Sequence, residues 1–209
     1  MGANCFRIIR MKILLTLFIL FFSSSVVADD IKDYRIEGFS VGDNLLDFFS
    51  EDFVIKNTFE EGYDHLDEPH RYYEFFIFDY KESKNYELDK YDTVSIFYKK
   101  QNNSDDYIIH GVGGKIIYEE KSNTCNIERD NIVNELSKIF DDATKIGPEI
   151  FSHNADKTGN STVDSVDFWF KNDDLVMVAC YNWVKPINYF DNLKIQFLTD
   201  DLNMWLVGN

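Results

Sequence analysis

Positive charge is scarce in this chain. Lys and Arg number 21 against 37 Asp and Glu, a formal net charge of −16. A nucleic-acid partner needs a basic face to meet its phosphates, so that ligand class is excluded. An anionic membrane surface is disfavoured on the same ground. Proline occurs only at Pro69, Pro148 and Pro186, and no low-complexity stretch separates two halves. The sequence also lacks the G-x-S-x-G nucleophile signature, a G-x-G-x-x-G phosphate loop ahead of a helix, and C-x-x-C. Those absences remove the serine-hydrolase, dinucleotide-binding and thioredoxin-like readings that a motif would have supported.

Apolar runs are short. Ile13 to Phe22 covers about ten residues, too few to span a hydrocarbon core of roughly 30 Å as a helix. Lys12 precedes it, and Ser23-Ser24-Ser25-Val26-Val27-Ala28 follows, with small residues before a cut after Ala28. This is the pattern of a secretory signal peptide over 1–28, with a retained anchor as the alternative. Met11 stands where such a signal ordinarily begins, so the start at Met1 or Met11 is open. No cysteine stands at the cut to carry a lipid, so no stable membrane anchor is expected after signal removal. Arg7, Arg10 and Lys12 leave with the signal, so residues 29–209 carry a net charge of −19. A periplasmic or secreted location is expected.

Of three cysteines only Cys125 and Cys180 remain in the exported part. An even number in an oxidising compartment predicts one disulfide, the alternative being two buried thiols. Such a bridge stabilises by about 4 kcal/mol in the chain-entropy account.

What is abundant is aromatic: 19 Phe and 12 Tyr, a composition that favours strands. Ser40-Val41-Gly42-Asp43 has the form of a capping box, and Val41, Leu45, Leu46 and Phe49 recur at helical spacing, predicting a helix over 41–50. Strands are predicted at 72–80, 91–99 and 107–119, the last with Gly111, Gly113 and Gly114 marking a bulge or bend. A stronger helix is predicted over 126–141. After a loop come strands at 163–171, 175–183 and 192–199, then a short helix over 200–207 capped by Thr199 or Asp200. The expected fold is α+β: a single domain over 29–209, an antiparallel sheet with its helices on one face. Asp43-Asn44-Leu45-Leu46 and Asp130-Asn131-Ile132-Val133 share an opening, so the chain reads as two degenerate α-β-β-β units, 34–120 and 121–209.

The stretch Ile36-Glu37-Gly38-Phe39-Ser40-Val41-Gly42-Asp43-Asn44-Leu45-Leu46-Asp47-Phe48-Phe49 resembles the opening of a family of uncharacterised exported proteins of marine bacteria. Tyr107-Ile108-Ile109, Cys125, Asp156 to Ser161, Cys180-Tyr181-Asn182-Trp183 and Trp205-Leu206 extend that resemblance. It implies export and the disulfide, and no chemistry. "GFSVGDNLL" ahead of strands also resembles the helix–sheet modules of outer-membrane assembly lipoproteins and of the β-lactamase inhibitor protein, which implies a binding module.

Three segments are candidates for chemistry. Asp156-Lys157-Thr158-Gly159-Asn160-Ser161-Thr162 matches the aspartyl-phosphate loop D-K-T-G-T-L-T of cation-pumping ATPases at five positions. Its context does not: Ile150 to Ala155 is a poor strand and no G-D-G-x-N-D follows. Asn154, Asp156, Thr158 and Asn160, with Asp164 further on, have partial calcium-loop spacing, but the bidentate Glu is missing. A polar turn bonding its own backbone is the competing reading. Asp64, His65, Asp67, Glu68 and His70 form the third segment, a charged loop that could fold around Zn²⁺ without matching a known zinc spacing. The expected function is a non-enzymatic binding or envelope-associated module with a protein partner in the cell envelope and no resident cofactor. The alternatives are a calcium- or zinc-dependent site and an exported hydrolase of unrecognised type.

Overall fold

A computed structural model describes residues 30–59, 63, 66, 68–81, 84–100, 107–118, 124–154, 156–184 and 189–208. The segment 1–28 expected to be a signal peptide, and Asp64, His65 and Asp67, lie outside the described residues. The elements are α1 (Glu51–Lys56), β1 (Thr58–Phe59), β2 (Tyr73–Phe78), β3 (Thr93–Tyr98), β4 (Ile109–Tyr118), α2 (Thr124–Ile139), β5 (Thr144–Ser152), β6 (Thr162–Trp169), β7 (Leu175–Asn182), β8 (Asp191–Leu198) and α3 (Asp200–Val207). All eight strands join one antiparallel sheet in the order β1-β2-β3-β4-β8-β7-β6-β5. Each half of the chain therefore runs from a helix into a four-strand meander, and the two meanders meet at β4 and β8.

Strand alternation sorts the sheet into two faces. Val94, Ile96, Val112, Val178, Ile195 and Phe197 belong to the main core on the first face. Helix α1 sets Val54 and Phe53 against that face, with Phe53 beside Phe75. Helix α2 buries Val133 and Leu136 there. Two links hold α2 down. Cys125 at its start is bonded to Cys180 of β7 across 55 positions. Arg129 forms a buried ion pair with Asp164 of β6 and also donates to the Asp164 carbonyl at 3.3 Å.

Helix α3 departs from the expected single helical face. Leu202 and Trp205 cluster with Tyr72, Phe97, Leu175 and Leu198, which point away from the main core. Gly111 makes this docking fit: a Cβ there would stand 2.4 Å from Leu202 Cδ2 and 3.0 Å from Leu198 Cδ2. Thr199 Oγ1 accepts from the Leu202 amide, Gly208 closes the helix at φ +78°, and Trp205 Nε1 donates to the Glu68 carbonyl at 2.7 Å.

Two further expectations need correction. The helix expected over 41–50 is a turn at Val41 and Gly42, a bridge from Asn44 to Ile108, and a 3-10 turn, Leu45–Asp47, ahead of α1. Gly42 and Leu45 give their amides to the carbonyls of Ile109 and Tyr107, and the Ile109 amide goes to Asp43. Those bonds to Ile109 of β4 and to Tyr107 just before it take groups that a helix would use. Ser40 donates its hydroxyl to Lys32 and Tyr34 instead of capping, and Gly42 sits at φ +89°. Ser50 is the cap actually used, accepting from Phe53. The segment before Asp156, expected to be a loop, contains the edge strand β5, in which every residue is exposed. An edge with no buried side shows no apolar alternation, and a shift around Gly147-Pro148 interrupts its register.

Gly111→Ala should loosen α3 and lower stability by about 1–3 kcal/mol, the usual cost of overpacking. Chemical denaturation, with Trp205 fluorescence reporting the helix, checks this. Reducing the Cys125–Cys180 bridge should cost about 4 kcal/mol in the same assay.

Candidate functional site on the second face

The second face divides into three zones. Helix α3 covers the apolar end. At the opposite end His153, Tyr181, Trp183 and Tyr189 gather, with His153 and Trp183 centroids 4.4 Å apart and Trp183 and Tyr189 4.7 Å apart. Between them lies a polar centre built by cross-strand register. Ser95, Gly113, Gln196, Met177 and Asp167 stand side by side on β3, β4, β8, β7 and β6. The adjacent row places Thr93, Lys115, Lys194, Ala179 and Ser165 together in the same order.

This centre is buried yet polar. Ser95 is fully buried, Gln196 is 3% exposed and Asn192 is 9% exposed. Ser95 Oγ, Gln196 Nε2, Asn192 Oδ1 and Asp167 Oδ1 have no hydrogen-bond partner among the described residues. Leaving a buried polar group unpaired costs about 1–3 kcal/mol, so four on one face are an unusual concentration. Glu74, also buried, accepts from the Tyr63 hydroxyl at 2.7 Å.

Titration on this face is displaced in both directions. Burial pushes the Lys194 ammonium down to about 7; the Lys115 charge adds to the effect and Glu74 opposes it. Burial raises the Asp167 carboxyl to about 6, against a hydrogen bond from Ser165 and helped by Glu149. The Tyr181 hydroxyl is raised by burial and then by Asp167 and Glu74. His153 is lowered by burial and by Lys194. Groups whose titration is displaced together on one face mark a functional site more often than chance does.

The residues singled out from sequence lie elsewhere. Asp156 is committed to its own turn: Oδ1 accepts from the Thr158 amide at 2.9 Å and its hydroxyl at 2.7 Å, and Oδ2 accepts from the Ser161 amide at 2.7 Å. Those bonds, led by that from Thr158, hold its carboxyl well below the ordinary range. Asn160 donates to Thr158 Oγ1, Gly159 takes φ +72°, and Asn154 is exposed. Asp164 does not join the turn, because its side chain pairs with Arg129 on the first face. The segment is thus a self-bonded polar turn between β5 and β6. Among the described residues no three His, Cys, Asp or Glu side chains are grouped to hold a metal ion. Of the zinc-like segment, Glu68 meets Arg71 at 3.7 Å and His70 stacks on Tyr73.

Sequence reasoning passed over Lys115, Lys194, Gln196, Ser95 and Asp167. A signal was present in Asn192-Leu193-Lys194-Ile195-Gln196-Phe197-Leu198, where polar and apolar residues alternate. A comparison with known proteins returned no matching family model, no matching curated protein and no matching solved structure.

The displaced groups set opposite pH slopes. Lys194 sheds its proton in the folded state near 7 but in the unfolded chain near 10.5, so stability rises with pH between those values. Folded Asp167 keeps its proton to about 6 while the unfolded chain loses it near 3.8, so stability falls as pH rises across that window. Denaturation midpoints measured over pH should show the fall flattened in Asp167→Asn and the rise flattened in Lys194→Met. Unchanged slopes in both variants would refute the burial of these groups.

Proposed function

We propose that the chain is an exported, non-enzymatic binding module of the cell envelope, and that the uncovered part of its second sheet face receives a protein ligand. The carrying observation is a set of three buried polar atoms on that face, Ser95 Oγ, Asn192 Oδ1 and Gln196 Nε2, that have no hydrogen-bond partner among the described residues. Polar atoms held in fixed positions and left unsatisfied are the groups an incoming ligand can satisfy. The aromatic end adds apolar anchors, since Phe151 is 48% and Tyr189 63% exposed, and aromatic residues carry much of the energy of protein interfaces.

Two features support the compartment. The first 28 residues have the signal pattern, and Cys125 is bonded to Cys180, a bond that persists in oxidising surroundings. Among the described residues no helix is long and apolar enough to cross a membrane.

Site-specific photocrosslinking in the native cell envelope tests the proposal. A photoreactive residue at Phe151 or Trp183 should give a discrete protein adduct, and one at Ile127, exposed on α2, should not. Adducts from Ile127 alone, or from none of these positions, would sink it.

A further inference from the structure

Lys115 and Lys194 are direct partners in the β4–β8 register, and like charges directly opposite destabilise a strand pair. The surroundings do not relieve the pair fully. Lys115 Nζ lies 5.8 Å from the centroid of Phe76, so its charge stays on the second face. Glu74 is the acid whose charge reaches Lys194, and one of its oxygens already accepts from Tyr63. Asp167 and Glu149 act on each other. Among the described residues, Lys115 together with Lys194 in its protonated form exceeds the single charge of Glu74.

Donors collect at the same point. Gly113 forms the floor, where a Cβ would stand 3.2 Å from Lys194 Cε, 3.3 Å from Ser95 Oγ and 3.4 Å from Gln196 Cγ. A Gly at this register position lets the three side chains close over the sheet. The Ser95 hydroxyl and the Gln196 amide nitrogen both donate hydrogen bonds, and both lack a partner among the described residues. The Lys194, Gln196 and Ser95 side chains thus bring their donors together over Gly113, with Lys115 as the strand partner of Lys194. A single negative charge balances the pair. A phosphate dianion would overshoot and meet Glu74.

Resting on the binding-face reading above, we infer that the Lys115–Lys194 pair is the anchor for one carboxylate of the protein ligand, an exposed Asp or Glu side chain. The carboxylate bridges the two ammonium groups. A small swing of the flexible Lys194 stem opens the Gln196 N–H to it as a further donor. Charge-assisted bonds of this kind are the strong ones at an interface. On a chain with a formal net charge of −16, the pair is where an acidic group is attracted, which gives selectivity as well as affinity.

The test uses the mature protein with lysine-ammonium and Gln196 side-chain signals followed by NMR. The probes are acetyl-Gly-Glu-Gly-amide, its Gln counterpart and inorganic phosphate. The Glu peptide should shift the Lys115, Lys194 and Gln196 signals saturably, and the Gln peptide should not. Lys194→Met or Lys115→Met should weaken the response about tenfold or more. Gln196→Glu, which places a carboxylate in the site, should abolish it with an unchanged circular dichroism spectrum. An equal response to the Gln peptide, tighter binding of phosphate, or an undiminished response in Lys194→Met overturns the inference. Crosslinking from Phe151 and Trp183 that survives the double change Lys115→Met with Lys194→Met would leave the binding face standing and remove the carboxylate anchor.

Discussion

Strand β4 pairs antiparallel with β8 from Gly111 opposite Leu198 to Tyr118 opposite Asp191, and the rest of the structure depends on that seam. It joins two meanders into one sheet. Its register decides which side chains meet: Gly111 beneath Leu202, Gly113 beside Gln196, Lys115 against Lys194. A slip of one residue would turn every side chain to the opposite face. The apolar set Val112, Ile195 and Phe197 would then leave the core, which is a strong penalty against the slip.

The seam also divides the sheet into unlike faces. The first is apolar and covered by α1, α2 and the segment from Ile31 to Leu45, with the disulfide tying α2 to β7. The buried Arg129–Asp164 pair sits within it, and a pair of this kind contributes orientation more reliably than stability. Among the described residues, the second face is covered at one end by α3. Its centre keeps charge and unpaired polar atoms in place, the arrangement in which local stability gives way to function.

Much of the architecture was legible. Tyr73–Phe78, Thr93–Tyr98 and Asp191–Leu198 carry aromatic or alternating patterns strong enough to read, and the Ile132, Val133, Leu136 stripe marked α2. The short helix expected over 200–207, with Thr199 or Asp200 as its cap, is α3, and Thr199 is the cap. Failures came where long-range pairing overrode local preference. Val41 to Phe49 has helical spacing, yet the Gly42 and Leu45 amides go to the carbonyls of Ile109 and Tyr107. Strand β5 has no buried side, so its sequence shows no alternation to read. The Asp156 turn was readable as chemistry that closes on itself, because Asx and Gly residues bond locally.

Local sequence by itself determined the disulfide partners, the helix α2 and most of the strands, because these follow from residue count and periodicity. Tertiary structure alone decided that Lys115 stands against Lys194 over Gly113, and that Asp164 turns to Arg129. Those residues lie far apart along the chain, and only the register of the assembled sheet brings them together. Periodicity states which face a side chain takes. Which neighbour it meets there is a property of the whole sheet.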